Sequence, residues 1–379
     1  MPRFVKTAPL GLLLIVIALV VAGLAFRFIA RNANPPHPPL DDAQIKKELS
    51  SYLDSLVATD QFSGVVLLAK NGEPLFVQAY AMANKSRNVA NAVGTKFNLG
   101  SLNKMFTAIA IAQLAQEGKL QFGDSVAKHL PDYPNKDVAS RVTIHQLLTH
   151  TSGMGDYLDS KRFAELRGTL ESVNTHFPLF VNDPLSFEPG SRFQYSNAGY
   201  VVLGAIIERV SGKSYFDYVR EHIFKPAGMV NTDSYELEQN VPNLAIGYTK
   251  SEGRESRQDN ARFLPAKGSP AGGGYSTVED LHHFARALSG YKLLNEQYTK
   301  IVLGGKVDAP FGPNIKYAYG FGDQRVNGHR IIGHSGGYPG VSAMFQMYVD
   351  QGYTVIVLGN YDEAAQMVAK RLREIITGG

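Results

Sequence analysis

Ser101-Leu102-Asn103-Lys104-Met105-Phe106-Thr107-Ala108-Ile109-Ala110-Ile111-Ala112-Gln113-Leu114-Ala115-Gln116-Glu117-Gly118 is the stretch on which the reading of this chain turns. Its apolar positions, among them Ile109, Ala112, Leu114 and Ala115, recur at helical spacing, and Gly118 supplies a stop. The spacing predicts one helix from Ser101 to Glu117. Ser101 and Lys104 then stand at i and i+3, on one face and a turn apart. A serine at that point also lies near unpaired amide donors, which favour developing negative charge. Taken alone, a serine opening a helix is an ordinary N-cap.

The S-x-x-K spacing is not unique to this stretch. Ser125 to Lys128 and Ser289 to Lys292 repeat it. Ser125 begins a short segment cut by Pro131, and Ser289 sits where a helix is ending at Gly290. Only Ser101 opens a long helix. A second kind of serine motif competes with it: Gly333-His334-Ser335-Gly336-Gly337 matches the G-x-S-x-G of a nucleophile elbow. That elbow needs a helix directly after the serine and a histidine later in the chain. Tyr338-Pro339-Gly340 resists a helix, and His334 is the last histidine in the sequence. The elbow reading fails on both counts.

The remaining chain divides in order. Ala8 to Phe26 carries no charge, and its length is close to the roughly 20 apolar residues that span a bilayer. Residues 1–30 therefore read as a membrane anchor or a signal peptide, the length favouring an uncleaved anchor and Gly23-Leu24-Ala25 offering a small-residue cleavage site. Arg3 and Lys6 precede the run, while Arg27 and Arg31 follow it, so positive charge alone gives only a weak orientation. Residues 31–40, with Asn34-Pro35-Pro36-His37-Pro38-Pro39, form a Pro-rich linker of extended character. Residues 41–379 form the folded part. Within it, Asp41 to Leu56 predicts an amphipathic helix, and Gly64 to Ala69 and Pro74 to Tyr80 predict strands around an Asn71-Gly72 hairpin turn. Arg330 to Gly333, Ser342 to Val349 and Tyr353 to Leu358 read as strands, and Glu363 to Ile376 as a closing helix. Between these ends the pattern is helical, at Ile144 to Leu148, Ala198 to Val210, Ser214 to Ile223 and Val278 to Leu288. Strands at both ends with helices between them imply one sheet built from both termini, with a mainly helical part inserted. The absence of cysteine excludes disulfides, thiolate metal sites and cysteine nucleophiles. A net charge of +4 without a basic block gives nucleic-acid binding no support. H-E-x-x-H is absent, so His282-His283 is no zinc-hydrolase motif.

Three further segments accompany the serine helix. Phe187-Glu188-Pro189-Gly190 leads through Tyr195-Ser196-Asn197 into a new helix. Leu147-Leu148-Thr149-His150-Thr151-Ser152-Gly153 is a helix end closed by a polar turn. His334-Ser335-Gly336 lies on or beside a C-terminal strand. In this order, and with Ala271 to Leu281, they resemble the serine β-lactamase and penicillin-recognising enzyme family, in its class C β-lactamase and D,D-peptidase branch. The resemblance covers roughly Asp41 to Gly379. It implies an α/β, β-lactamase-like fold: an antiparallel sheet from both termini, flanked by helices, with an inserted helical subdomain. It also implies a serine hydrolase that forms an acyl-enzyme on Ser101 from a peptide, amide or ester. Lys104 and Tyr195 would share the proton transfers, in an order the resemblance leaves open. Asn197, His334, Ser335 and Gly336 would contact substrate, and the backbone N–H groups of Ser101 and Gly337 would form the oxyanion hole. A bulky residue at Gly337 would block approach to the carbonyl.

No cofactor or metal is implied. Partners are a small peptide, amide or ester substrate, with cell-wall peptide among the candidates, and the membrane through the N-terminal helix. The implied location is the cell envelope, anchored in the inner membrane with the domain on the outer side, or secreted if the N-terminus is cleaved. His145, His150 and Ser152 read as scaffold beneath the cleft. One departure stands out, because a class C β-lactamase has Lys-Thr-Gly where this chain has His334-Ser335-Gly336. A histidine is largely neutral near pH 7, whereas lysine suits a carboxylate. A true class C β-lactamase and an inactive envelope sensor are the alternatives.

Overall fold

The computed structural model describes residues 40–250 and 256–378. The expected anchor and most of the Pro-rich linker lie outside the described residues. Among the described residues, no helix is long and apolar enough to cross a membrane.

The main sheet is antiparallel and takes its strands from both ends of the chain. Strands β1 (Gly64–Lys70) and β2 (Glu73–Tyr80) form the N-terminal hairpin. Asn71 and Gly72 turn it with φ of 52° and 84°, the positive values a two-residue hairpin loop requires. From the C-terminal part come β3 (Val307–Asp308), β4 (Ile315–Tyr317), β5 (Gly322–Val326), β6 (His329–Tyr338), β7 (Val341–Tyr348) and β8 (Tyr353–Gly359). Their order across the sheet is β2-β1-β8-β7-β6-β5-β4-β3. Pairing of β1 with β8, Val66 opposite Val357, joins the two ends of the folded part.

Alternate residues of the central strands feed two separate cores. Val66 and Leu68 of β1 and Val355 and Val357 of β8 face a layer made by helices α1 (Asp42–Ala58) and α5 (Ala364–Thr377). Val65, Leu67, Ile356 and Leu358 face the helical part. These strands are buried on both faces, so they read as unbroken apolar runs without the alternation of a half-exposed sheet. The helical part centres on α2 (Asn103–Gln116) and α3 (Asn197–Ser211), with α4 (Val278–Ser289) packed beside them. Every residue of α2 from Asn103 to Ala115 is buried, so the helix is apolar almost all round. The antiparallel sheet from both termini and the inserted helical part are as the sequence implies.

Two of the boundaries that differ from the sequence reading bear on the site. The serine helix does not begin as an α-helix at Ser101: Gly100–Leu102 is a 3₁₀ turn, and α2 starts at Asn103. The N-cap position falls on Leu102 with no side-chain cap, so Ser101 is not the ordinary N-cap that its position allows. Strand β6 runs unbroken from His329 to Tyr338, past the predicted end at Gly333 and through the whole His334-Ser335-Gly336 motif. Glycine-rich strands are weak by propensity; pairing with β7, Gly336 opposite Ala343 and Gly337 opposite Ser342, overrides it.

Candidate active site

The turn carrying Ser101 is wedged against β6. Gly100 adopts φ +49°, and a Cβ on it would stand 2.9 Å from the Gly337 nitrogen. Gly336 meets the turn from the other side, where its Cβ would lie 1.9 Å from the Leu99 carbonyl oxygen and 3.2 Å from the Ser101 nitrogen. Only bare backbone fits at these two positions. The contact brings the Ser101 and Gly337 amides, the expected oxyanion donors, to the same place.

Lys104, one turn on in α2, is wholly buried. Its Nζ lies 3.2 Å from Ser101 Oγ, donates to Asn197 Oδ1 at 2.7 Å and donates to the Ala271 carbonyl at 2.5 Å. Burial pulls the amine down to about 7, with the Asp156 carboxylate opposing the shift. The last two partners accept hydrogen bonds in this arrangement. A neutral Lys104 therefore spends both N–H bonds on them and turns its lone pair to the serine hydroxyl.

Tyr195 reaches the same point from the start of α3. Lys104 Nζ sits 4.8 Å from its ring centroid. Burial raises the phenol well above its ordinary range, and a hydrogen bond with Ser101 works the other way. The phenol is protonated at neutral pH, which makes it a proton donor there. Ser196 fixes this segment: its hydroxyl caps α3 by accepting from the Gly199 N–H at 3.1 Å and donates to the Gly155 carbonyl at 2.8 Å. Asn197 follows at the first turn of α3. Asp156, a residue absent from the sequence-derived set, accepts from Asn197 Nδ2 at 2.7 Å, which leaves Oδ1 for Lys104. Ala271 is the second omission, since a backbone carbonyl has no signature in sequence.

His334 stands on β6 with Nε2 2.9 Å from Tyr317 Oη and Nδ1 2.6 Å from the Ser335 carbonyl. Ser335 is exposed, while Gly336 is buried and accepts from Gln366 Nε2 at 3.2 Å. His150 does lie beneath the cleft, bonded to Tyr317 at 3.1 Å, and His145 bonds Tyr319 at 2.8 Å. Ser152 accepts from the Met154 N–H at 3.2 Å. Two cavities meet at Ser101 and Gly337. One, of about 630 Å³, is lined by Phe311, Ile315, Tyr317, His334 and Met344, with Lys370 and Arg373 of α5. The other, of about 60 Å³, is lined by Tyr157, Leu158, Phe163, Leu264 and Tyr338. Among the described residues, no group of three or more acidic or histidine side chains is placed to hold a metal ion.

A sequence model of the family described as Beta-lactamase matches residues 49–377. The chain belongs to the beta-lactamase family. Among curated relatives, penicillin-binding protein 4* of Bacillus subtilis is 32% identical over 350 residues, which cover 88% of this chain and 76% of that protein. Among solved structures, a penicillin-binding protein from Bacillus halodurans superposes with a TM-score of 0.78 at 33% identity, covering 85% of this chain and 99% of that one. A D-stereospecific amidohydrolase from Streptomyces sp. superposes with a TM-score of 0.73 at 26% identity, covering 89% and 98%. The beta-lactamase family thus supplies both penicillin-binding proteins and an amidohydrolase as relatives of this chain.

Proposed function

We propose that this member of the beta-lactamase family is a serine hydrolase that forms an acyl-enzyme on Ser101 from a peptide, amide or ester. The observation that carries the reading is the position of Lys104 Nζ, 3.2 Å from Ser101 Oγ with its other two bonds already given to Asn197 and Ala271. In the acylation step the neutral amine takes the serine proton and Oγ bonds the substrate carbonyl carbon. The Ser101 and Gly337 amides hold the oxyanion. Tyr195 then donates its proton to the leaving nitrogen or oxygen and regains one from the Lys104 ammonium. Water completes the cycle by the same steps in reverse, releasing the acid and free Ser101. The relative named a D-stereospecific amidohydrolase supports an amide substrate.

The N-terminal run from Ala8 to Phe26 supports a location in the cell envelope, with the folded domain tethered outside the membrane or released by cleavage. Sodium carbonate extraction of membranes distinguishes the two, since an uncleaved anchor stays in the pellet.

The test of the chemistry is labelling with a fluorophosphonate followed by peptide mass spectrometry. One adduct on Ser101 is expected, absent in Ser101→Ala and slowed about 10²-fold or more in Lys104→Met. An adduct on Ser335, or none on any serine, overturns the reading.

A further inference from the structure

Helix α1 carries two stripes. Ile45, Leu49, Leu53 and Leu56 are buried in the core on the far face of the sheet. Gln44, Lys47, Glu48, Ser51 and Tyr52 recur at i, i+3, i+4, i+7 and i+8, and with Leu40 and Arg371 of α5 they line a groove of about 590 Å³.

That groove begins where the Pro-rich linker ends. Leu40 follows Pro39 directly, lines the groove and packs in the same core as Ile45. Asp41 is the N-cap of α1, so Leu40 and Ile45 hold the N′ and N4 positions of a hydrophobic staple, which fixes the angle at which the chain enters the helix. Residues 35–39 are therefore delivered to one end of the groove, whether or not the segment before them is cleaved. The lengths agree. Gln44 to Tyr52 spans about 12 Å of helix. The five residues Pro35-Pro36-His37-Pro38-Pro39 span about 15 Å as polyproline.

The chemistry is complementary as well. Proline has a carbonyl but no N–H, and a polyproline helix leaves its carbonyls unbonded, so this segment is rich in acceptors and has one backbone donor, at His37. The groove supplies donors. Lys47 and Ser51 are exposed, and Gln44 takes the Asp41 N–H on Oε1 at 3.0 Å, which leaves Nε2 to donate. Burial and the Glu374 carboxylate raise the Tyr52 phenol, so it keeps its proton and can donate too. Its half-buried ring gives the prolines an aromatic surface, the kind on which polyproline segments dock. Glu48 is already paired with Arg371 at 2.9 Å. Arg371 is thereby committed, which leaves Lys47 alone to attract an anionic lipid and makes a membrane surface the poorer occupant.

We propose that residues 35–39 lie as a polyproline strap in the α1–α5 groove, running from Gln44 towards Tyr52 and holding the domain against its N-terminal segment in one orientation. The strap lies on the helix pair whose second member supplies Lys370 and Arg373 to the Ser101 cavity. With an uncleaved anchor it sets which way that cavity faces.

The natural chain has no cysteine, so two introduced thiols can pair only with each other. The full-length chain carries Pro36→Cys together with either Ser51→Cys in the groove or Lys46→Cys. Lys46 is exposed, lies on the opposite flank of α1 and is nearer to the linker in sequence, so a free tether reaches it at least as fast. Disulfide formation is followed in dodecylmaltoside micelles by peptide mass spectrometry. The Ser51 pair is expected to form at least tenfold faster than the Lys46 pair, within single chains. Pro35→Ser, Pro38→Gly and Pro39→Ser combined, or Lys47→Ala, are expected to cut that preference at least threefold without changing the thermal melting of the domain. Equal rates at the two positions overturn the proposal, as does a preference that neither change reduces. A Ser51 disulfide formed only between two chains assigns the groove to a second copy. A preference that vanishes when phosphatidylglycerol vesicles replace the micelles assigns it to lipid headgroups. Either result also overturns the strap.

Discussion

Lys104 is a cation placed where a cation is costly, and that cost sets its chemistry. Its amine is held near 7 because burial penalises the charged form, with Asp156 pulling the other way. Activity that needs the neutral amine rises with pH through about 7, so the acidic limb of a kcat/KM profile on an ester should fall there. Asp156→Asn keeps an acceptor for Asn197 Nδ2 but removes the opposing charge, and the limb should move to lower pH. The same shift is a stability statement. Between about 7 and the ordinary lysine value the unfolded chain binds the extra proton, so stability rises with pH over that window. Lys104→Met should therefore stabilise the fold most below pH 7, with the gain vanishing as pH climbs towards the ordinary lysine value; urea titrations across that range measure it. Neighbouring glycines should separate fold from function. A methyl on Gly336 runs into the Leu99 carbonyl, so Gly336→Ala should lower stability by about 1–3 kcal/mol in chemical denaturation. At Gly337 an added Cβ meets no atom within 4 Å, and the residue lines both cavities that meet at Ser101. Gly337→Val should melt like wild type yet lose about 10²-fold in fluorophosphonate labelling rate.

The elements hold the site by being buried on every side. Phe106 of α2 stacks edge-on against Phe284 of α4, with ring centroids 5.1 Å apart, which pins the helix that carries Lys104. Helices α1 and α5 behave differently, each burying one stripe on the far face of the sheet. Leu372 of α5 is 0% exposed, and Leu372→Ala should cost about 2–5 kcal/mol by creating a cavity. Asp41 caps α1 in a reciprocal box with Gln44, and Asp41→Ala should cost about 0.5–2 kcal/mol. Both are read in urea titrations, and neither is expected to change the labelling rate of Ser101 in the fraction that stays folded.

At the scale of the whole molecule, chain ends that are remote in sequence make the middle of one sheet. The β1–β8 pairing lies between the α1–α5 layer and the helical part, so neither core closes without both ends. A chain starting at Phe62 lacks α1 and exposes Val66 and Leu68 to water. It should show no cooperative thermal transition and no labelling of Ser101. Retained labelling would mean that the sheet closes on the remaining layers alone.

Much of this was legible in the residues themselves. Apolar periodicity located α1, α2 and α5, the Asn71-Gly72 pair located the first hairpin, and the S-x-x-K spacing singled out Ser101 with Lys104. These are local properties, governed by backbone preference and by contacts within a turn. What local preference could not yield was the course of β6 through three glycines, the 3₁₀ turn under Ser101, the carboxylate of Asp156 behind Asn197, or the His150–Tyr317–His334 chain. Each depends on segments brought together by the fold, as Asp156 meets Asn197 and His150 meets Tyr317, and no local pattern in the sequence encodes that meeting. The sequence by itself determined which helix carries the serine and the amine; only the packed molecule decided that the amine is dry and that Asn197 and the Ala271 carbonyl hold it, because burial and hydrogen bonding between distant segments are properties of the folded chain.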